Sequence, residues 1–340
     1  MIARVDTHLP AARDRALSVS VVVPTYRRAD RLAACLEGLR LQTRPADEVL
    51  VVVQGVDDAS ASLVSRLAGD WLELRYVRVA QPGVVAALNY GLAAARGAIV
   101  AFVDDDAVAT VDWLERIVQT FERDDGVAAV GGRDVIDDGG RILQPTRRRG
   151  LWALKGEPGV GRIQWCGRML GNHHIGVGAP RDVDVLKGAN LSFRREAVLG
   201  HGVDERLRGE GAQEHWELSV CLPLRRRGLR VVYDPNISVL HYPAPRHLGR
   251  ERDDFSPEAV TSSTHNETLE ILDYLGPIRR LVFIAWGLGV GTTCSPGLAV
   301  LARDLLYRRP AAWMRFTAAQ DGRLAAWRSH LRTPRVGGQG

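Results

Sequence analysis

Three adjacent carboxylates, Asp104, Asp105 and Asp106, follow directly on the apolar run from Ala98 to Val103. Like charges at such close range raise one another's pKa, and a cation relieves the repulsion. Hard divalent ions such as Mg²⁺ or Mn²⁺ favour oxygen donors of this kind. By itself the triplet has two readings. It is a metal and phosphate site at a strand end, or an acidic turn that solvates a loop and caps the helix opening at Asp112. A second chemical cluster is Gln-Glu-His-Trp-Glu-Leu, where Glu214 and Glu217 stand three apart on one expected helix and share a side, with His215 between them. The paired His173 and His174 have no third spaced ligand and read as loop histidines. Arg147 to Arg149 read as a solvated charge run. Arg225 to Arg227 fall in the last turn of an expected helix closed by Gly228, where the helix dipole and C-cap explain them.

The elements that must position these residues alternate. Ser18 to Val23, Glu48 to Val53, Leu72 to Val79, Ala98 to Val103 and Val127 to Val130 are short β-branched or apolar runs. Between them lie helical patterns: one opening at Asp30 with Leu32, Cys35, Leu36 and Leu39 on a stripe, then Ala59 to Ala68, Gly83 to Ala95, and Asp112 to Arg123. Asp112 and Glu115 form a pair of the capping-box type. Strand and helix in turn predict an α/β fold with a mostly parallel sheet covered on both faces and ligands beyond the carboxyl ends of the strands. The triplet lies at such an end. Gly139 to Gly178 reads as loops over that crevice. Regular structure returns at Val183 to Arg195, a helix from Ala212 to Arg227, a strand from Leu229 to Tyr233, and Ile237 to Leu240 leading into His241.

The 340 residues, 46% hydrophobic and 25% charged, suit one large globular domain or two smaller ones. Cys35, Cys166, Cys221 and Cys294 lie far apart without CxxC spacing, which suggests neither zinc nor a disulfide framework and implies a reduced, cytosolic setting. Met1 to Leu17 lacks the apolar core of a signal peptide and reads as a leader. The net charge is +5, but residues 277–340 hold ten Arg, no Lys and two Asp, or +8, which leaves −3 for the rest.

Seven pieces, in order, resemble the family 2 glycosyltransferases. They are Val-Val-Val-Pro-Thr-Tyr-Arg-Arg (21–28), Asn89-Tyr90-Gly91-Leu92, Phe-Val-Asp-Asp-Asp (102–106), Gly-Ala-Asn-Leu-Ser-Phe-Arg-Arg (188–195), Val-Asp-Glu-Arg (203–206), Glu217-Leu218, and the Arg-Arg-Gly to His run from Arg226 to His241. The resemblance covers about two thirds of the chain, from Val19 to Arg246. It implies a GT-A, Rossmann-like fold, a nucleotide-sugar donor, a divalent metal (Mn²⁺ or Mg²⁺) and inverting transfer to a saccharide or lipid-linked acceptor. Residue by residue, it implies that Pro24, Thr25, Arg27 and Asn89 line the nucleotide pocket, with Asp104 or Asp105 near the ribose. Asp106 would be the metal ligand, with His241 completing the metal or diphosphate site. Gly188 and Asn190 would sit by the donor sugar and acceptor, and Glu217 would be the catalytic base, with Glu214 and His215 as competitors. The family usually carries an acid where this chain has Gln54; Asp57 or Asp58 would substitute, or the Gln54 amide would bond the base edge.

The implied organisation is a leader (1–17), a nucleotide-sugar half (18–135), an acceptor and catalytic-base half (136–250) and a C-terminal helical extension (251–340). Within that extension Leu281 to Ala302 carries no charge, but glycines, Thr292, Thr293, Ser295 and Pro296 break it as one helix. Two short segments lying in or dipping into the cytoplasmic leaflet of a membrane fit better than a span, and the plain alternative is helices packed on the catalytic domain or a partner subunit. Arginines interleaved with Trp313, Phe316 and Trp327 would add attraction to anionic lipid. No nucleic acid is expected. The competing functions are a non-catalytic nucleotide-sugar or glycan-binding protein, for which Gln54 speaks, and a nucleotidyltransferase, whose Gly- and Arg-rich loop is not seen.

Overall fold

The computed structural model describes residues 17–80, 83–138, 141–142, 159–209, 211–242 and 255–332. Arg147 to Arg149 and the leader up to residue 16 lie outside them. The first half alternates as β1 (Val19–Thr25), α1 (Ala29–Arg40), β2 (Glu48–Gln54), α2 (Asp58–Leu67), β3 (Leu74–Val79), α3 (Val84–Ala94), β4 (Ile99–Val103), β5 (Ala107–Ala109), α4 (Trp113–Arg123) and β6 (Val127–Asp138). Short strands follow: β7 (Arg141–Ile142), β8 (Arg162–Ile163), β9 (Met169–Leu170) and β10 (Arg181–Asp182). Then come β11 (Asn190–Arg194), α5 (Arg195–Val198), α6 (Trp216–Arg226) and β12 (Arg230–His241). The chain continues through α7 (Pro257–Tyr274), α8 (Pro277–Gly289), α9 (Leu298–Leu306) and α10 (Ala312–Arg332).

Among the described residues the main sheet runs β10-β12-β6-β11-β4-β1-β2-β3. β11 is antiparallel to β4 and β6, and β10 to β12, while the other pairs along this path are parallel. β1, β2 and β4 are buried at every position, so they read as continuous apolar runs rather than alternating ones. The two-residue period of the strand supplies two cores. Val21 and Val23 pack with Leu32, Leu36, Trp113 and Phe121 on one face. Val22 packs with Leu88, Phe193 and Trp216 on the other. Each fully buried Val, Leu or Phe contributes roughly 1.5–3 kcal/mol. On the second face Gly91 brings α3 close to β1, since a Cβ there would lie 2.4 Å from Val22 Cγ1.

Four local expectations are corrected. Leu72 is 92% exposed and lies before β3, which begins at Leu74. Asp112 sits at the N-cap of α4 but its carboxylate caps no backbone N–H of the helix; it accepts instead from the Arg116 side chain, and Glu115 accepts from Thr43. The helix expected from Ala212 starts at Trp216, because Gln213 and His215 both take left-handed backbone. The strand expected in two pieces is one, β12, with an irregularity between Asp234 and Ser238. In the C-terminal region the break falls where Thr292 to Pro296 predicts it, between α8 and α9. No helix among the described residues is long and apolar enough to cross a membrane.

Candidate active site

β1 and β4 adjoin where the strand order turns back, with β2 and β3 to one side and β11 to the other. Such a switch point opens a crevice at the carboxyl ends of the strands. The β1–β4 ladder stops at the pair Val22 and Phe102, so Pro24, which has no N–H, occupies a place where the two strands have parted. Thr25 then donates from Oγ1 to Asp105 at 2.7 Å. Arg28 donates to the other Asp105 oxygen at 3.0 Å and stands 3.6 Å from Asp106. Its neighbour Arg27 has a left-handed backbone (φ 54), an exposed side chain over the Tyr26 ring, and an N–H that donates to Asp57. Asp57 also accepts from Ser60 N as the N-cap of α2. Its carboxylate therefore ties the β1 turn to the start of α2.

The far end of β12 closes the site from the opposite side. Antiparallel pairing of β5 with β12 sets His241 opposite Ala107, and Tyr242 N donates to the Asp106 carbonyl at 2.8 Å. His241 Nε2 is then 3.1 Å from Asp106 and Nδ1 is 3.0 Å from Asp134. Asp134 lies opposite Val239 in the parallel β6–β12 ladder, two residues before the partner of His241, so both side chains emerge on one face. Lys187 donates to the second Asp134 oxygen. Burial disfavours the imidazolium, but the hydrogen bonds and charges of Asp106 and Asp134 outweigh it and raise His241 to about 10. Burial also opposes ionisation of Asp134, and the bonds from His241 and Lys187 still hold it well below the usual carboxylate range. Burial and then the neighbouring Asp106 push Asp104 up to about 7, against the pull of His241. Burial raises Asp105 in spite of Arg28.

Asp104, Asp106 and His241 thus form a group whose ligand atoms lie within 4.8 Å of one another. Two carboxylates and an imidazole whose other nitrogen is fixed by a carboxylate suit a divalent ion such as Mn²⁺ or Mg²⁺. Asp104, expected near the ribose, stands with the two residues expected at the metal. Asp105 instead faces Thr25 and Arg28. Arg28, Asp134 and Lys187 were not among the sequence candidates. Arg28 lies beside one that was. Asp134 lies in no recognisable motif, and its partners are 107 and 53 residues away.

Across the crevice, Asn190 pairs with Val103 in the β11–β4 ladder, so Gly188, two residues earlier, lies at the mouth of the same strands. A Cβ on Gly188 would meet the Trp216 indole at 2.6 Å. Its N–H donates to Glu217 Oε1 at 3.3 Å, while Glu217 Oε2 is buried with no partner among the described residues. Glu214 is exposed, and His215 Nε2 is 3.1 Å from Ser263 Oγ.

Other candidates spend their polar groups inside the fold. Asn190 accepts from Trp113 Nε1 and donates to the Ile237 carbonyl, both at 2.8 Å. Asn89 clasps the Val203 backbone, donating to its carbonyl and accepting from its N–H. Gln54 is buried and accepts from Gly83 N at the start of α3. His173 is buried against Tyr233 and bonded to the Val185 carbonyl, a packing role that agrees with its reading as an ordinary histidine. A cavity of ≈ 210 Å³ lies at the other end of the strands, by Ser20, Glu48 and Arg75, away from this group.

The family model for glycosyl transferase family 2 matches residues 20–188, about half of the chain. A glucosyl-dolichyl phosphate glucuronosyltransferase of Haloferax volcanii is 28% identical over 235 residues, covering 66% of this chain and 69% of that protein. Glycosyltransferase AglE of the same organism is 39% identical over 118 residues, covering 34% of this chain and 38% of AglE, so the match spans well under half of that relative. Among solved structures, mannosyltransferase PcManGT from Pyrobaculum calidifontis, in complex with GDP-Man and Mn²⁺, matches with a TM-score of 0.52 at 19% identity. The match covers 94% of this chain and 88% of that one, and the shared architecture is the GT-A fold.

Proposed function

The chain belongs to glycosyl transferase family 2, and from that premise we propose that it moves a sugar from a nucleotide-sugar donor to a hydroxyl of a glycan or lipid-linked saccharide, with inversion and in dependence on a divalent metal. The observation that carries the reading is the convergence of Asp104, Asp106 and His241 at the carboxyl end of β4. Asp106 and His241, with Asp104 beside them, would hold Mn²⁺ or Mg²⁺, which when bound would neutralise charge on the diphosphate leaving group. Arg28 adds a fixed positive charge on the same side. Pro24, Thr25 and Arg27 line the nucleotide pocket, and Gly188, whose missing side chain lets the Trp216 indole close against it, lies by the donor sugar and acceptor.

Glu217 takes the proton of the acceptor hydroxyl as it attacks the anomeric carbon. Its Oε2, without a partner among the described residues, is available for that proton. Attack from the face opposite the diphosphate inverts the anomeric centre. Residues 18–135 serve the donor and 136–250 the acceptor and base. The name of the first relative, which carries a dolichyl-phosphate-linked sugar, favours a lipid-linked acceptor, and such an acceptor goes with work at the inner face of a membrane.

The test is nucleotide-sugar turnover with and without Mn²⁺ in wild type and Asp106→Ala. Wild type should need the metal, and the variant should lose at least about 100-fold. Nucleotide binding without metal-dependent turnover of any donor would favour a binding protein instead.

A further inference from the structure

We propose that α8, α9 and the start of α10 form a face that lies flat on an anionic lipid surface, with apolar side chains in the headgroup boundary and arginines on the phosphates. This deepens the membrane reading above and rests on it.

Helix α8 presents Ile278, Leu281 and Leu288 to solvent at 74%, 68% and 47% exposure. Their spacing of three and seven puts them on one stripe. Its other side is spoken for: Phe283 is buried and packs where Gly167 leaves room, and Gly287 faces Arg323. Helix α9 repeats the arrangement. Leu298, Leu305 and Leu306 are exposed, while Leu301 and Asp304 point inward. Tyr307 and Trp313 continue the exposed surface towards α10, and amphipathic aromatic side chains of this kind favour the level of lipid headgroups.

The two helices are held as a unit. Arg323 of α10 donates to the carbonyls of Ser295 and Pro296, and Gln320 donates to that of Pro296. These bonds fix the turn between α8 and α9 to α10. With 13 residues, α8 is about 20 Å long against a hydrocarbon core of about 30 Å. The surface can therefore lie in a leaflet but not cross it.

Charge decides the occupant. A second copy docked about a two-fold axis would set this face against itself. The +8 of residues 277–340 would then oppose another +8, and of its two aspartates Asp304 is already paired with Arg303. Exposed Arg308 and Arg309, between α9 and α10, instead complement an anionic bilayer. The remaining −3 of the chain is repelled by the same bilayer, which orients the protein with this face down.

Flotation of the full chain with phosphatidylcholine vesicles, with and without phosphatidylglycerol, tests the proposal. Wild type should float with the anionic vesicles, less so as salt rises. The double variant Leu281→Glu with Leu305→Glu should partition at least about ten-fold more weakly. Arg308→Gln and Arg309→Gln should each cost about five-fold. Leu72→Glu, at an exposed leucine of the sheet domain, should float as wild type does. Absence of flotation at low salt overturns the proposal, as does flotation that the double variant leaves intact. Loss of a wild-type dimer in the double variant without any flotation would assign the face to a second copy. Retention on nucleic acid in place of vesicles would assign it to that polymer. Donor turnover is measured apart in vesicle-free solution: flotation without turnover removes the enzyme reading alone, and turnover without flotation removes this one alone.

Discussion

Asp134 makes His241 directional. By accepting from Nδ1 at 3.0 Å it holds the proton on that nitrogen, so that Nε2 is the atom turned to Asp106. Replacing Asp134 by Asn keeps the shape and removes the charge. Asp134→Asn should weaken Mn²⁺ affinity by about 10–100-fold, with turnover recovered at high Mn²⁺. A Mn²⁺ titration of turnover that coincides with wild type would detach Asp134 from the metal. Glu217→Gln should bind donor normally and lose transfer by about 10²–10⁴-fold. Retained transfer would move the base to Glu214 or His215. The triplet, His241 and Glu217 could be named as candidates because each sits in a run with its own local pattern. Asp134 and Lys187 were not, because their meaning comes from a strand register joining positions far apart in the chain. That Arg28 joins Asp105 turns on one backbone angle at its neighbour Arg27. With φ at 54, the turn leaves the Arg27 side chain exposed, and Arg28 is the one that reaches Asp105.

At the scale of elements, α7 grips the loop that feeds α6. Asn266 accepts from Arg208 N and donates to the carbonyls of Arg208 and Glu214, while Ser263 meets His215 and Asp273 meets Arg206. These bonds account for the late start of α6, since Gln213 and His215 are each held in left-handed backbone that no propensity scale would foresee. The parallel strands were easier, because burial on both faces writes an uninterrupted apolar run into the sequence. Asn266→Ala should cost about 1–3 kcal/mol of stability for the buried backbone groups left unpaired. It should also lower kcat with little change in donor KM, because Glu217 follows that loop. Equal kcat in a variant with lowered Tm would reduce Asn266 to a structural bond. The connection before β11 carries a pH signature. Burial holds His173 down to about 4 from an ordinary 6.5. Between those values the unfolded chain binds the proton and the folded one does not. Stability is then full above pH 6.5 and falls by about 3 kcal/mol as pH drops towards 4. Denaturant midpoints of His173→Gln should flatten across that window, and a slope equal to that of wild type would place the acid sensitivity elsewhere.

For the whole molecule, the charge division of −3 and +8 suggests a catalytic body with a detachable basic anchor, but the packing makes α10 part of the body's support. Gly322 lets α10 approach α7 so closely that a Cβ would lie 2.5 Å from the Thr261 carbonyl. Around it Thr261 donates to the Ala318 carbonyl, His265 meets Ser329, and Asp273 meets His330. Asp273 is also the partner of Arg206, so removing α10 unbinds one side of the very carboxylate that steadies the loop before α6. Truncation after Gly276 should therefore lower Tm by about 5 °C or more and reduce donor turnover even in vesicle-free solution. The Leu281→Glu, Leu305→Glu variant, which changes only exposed positions, should keep both. Scanning calorimetry and donor turnover on the two proteins separate the roles. A truncated chain with wild-type Tm and turnover would make α8 to α10 a dispensable anchor, whereas loss in the truncation alone means that α10 serves the active site through α7 while α8 and α9 serve the membrane.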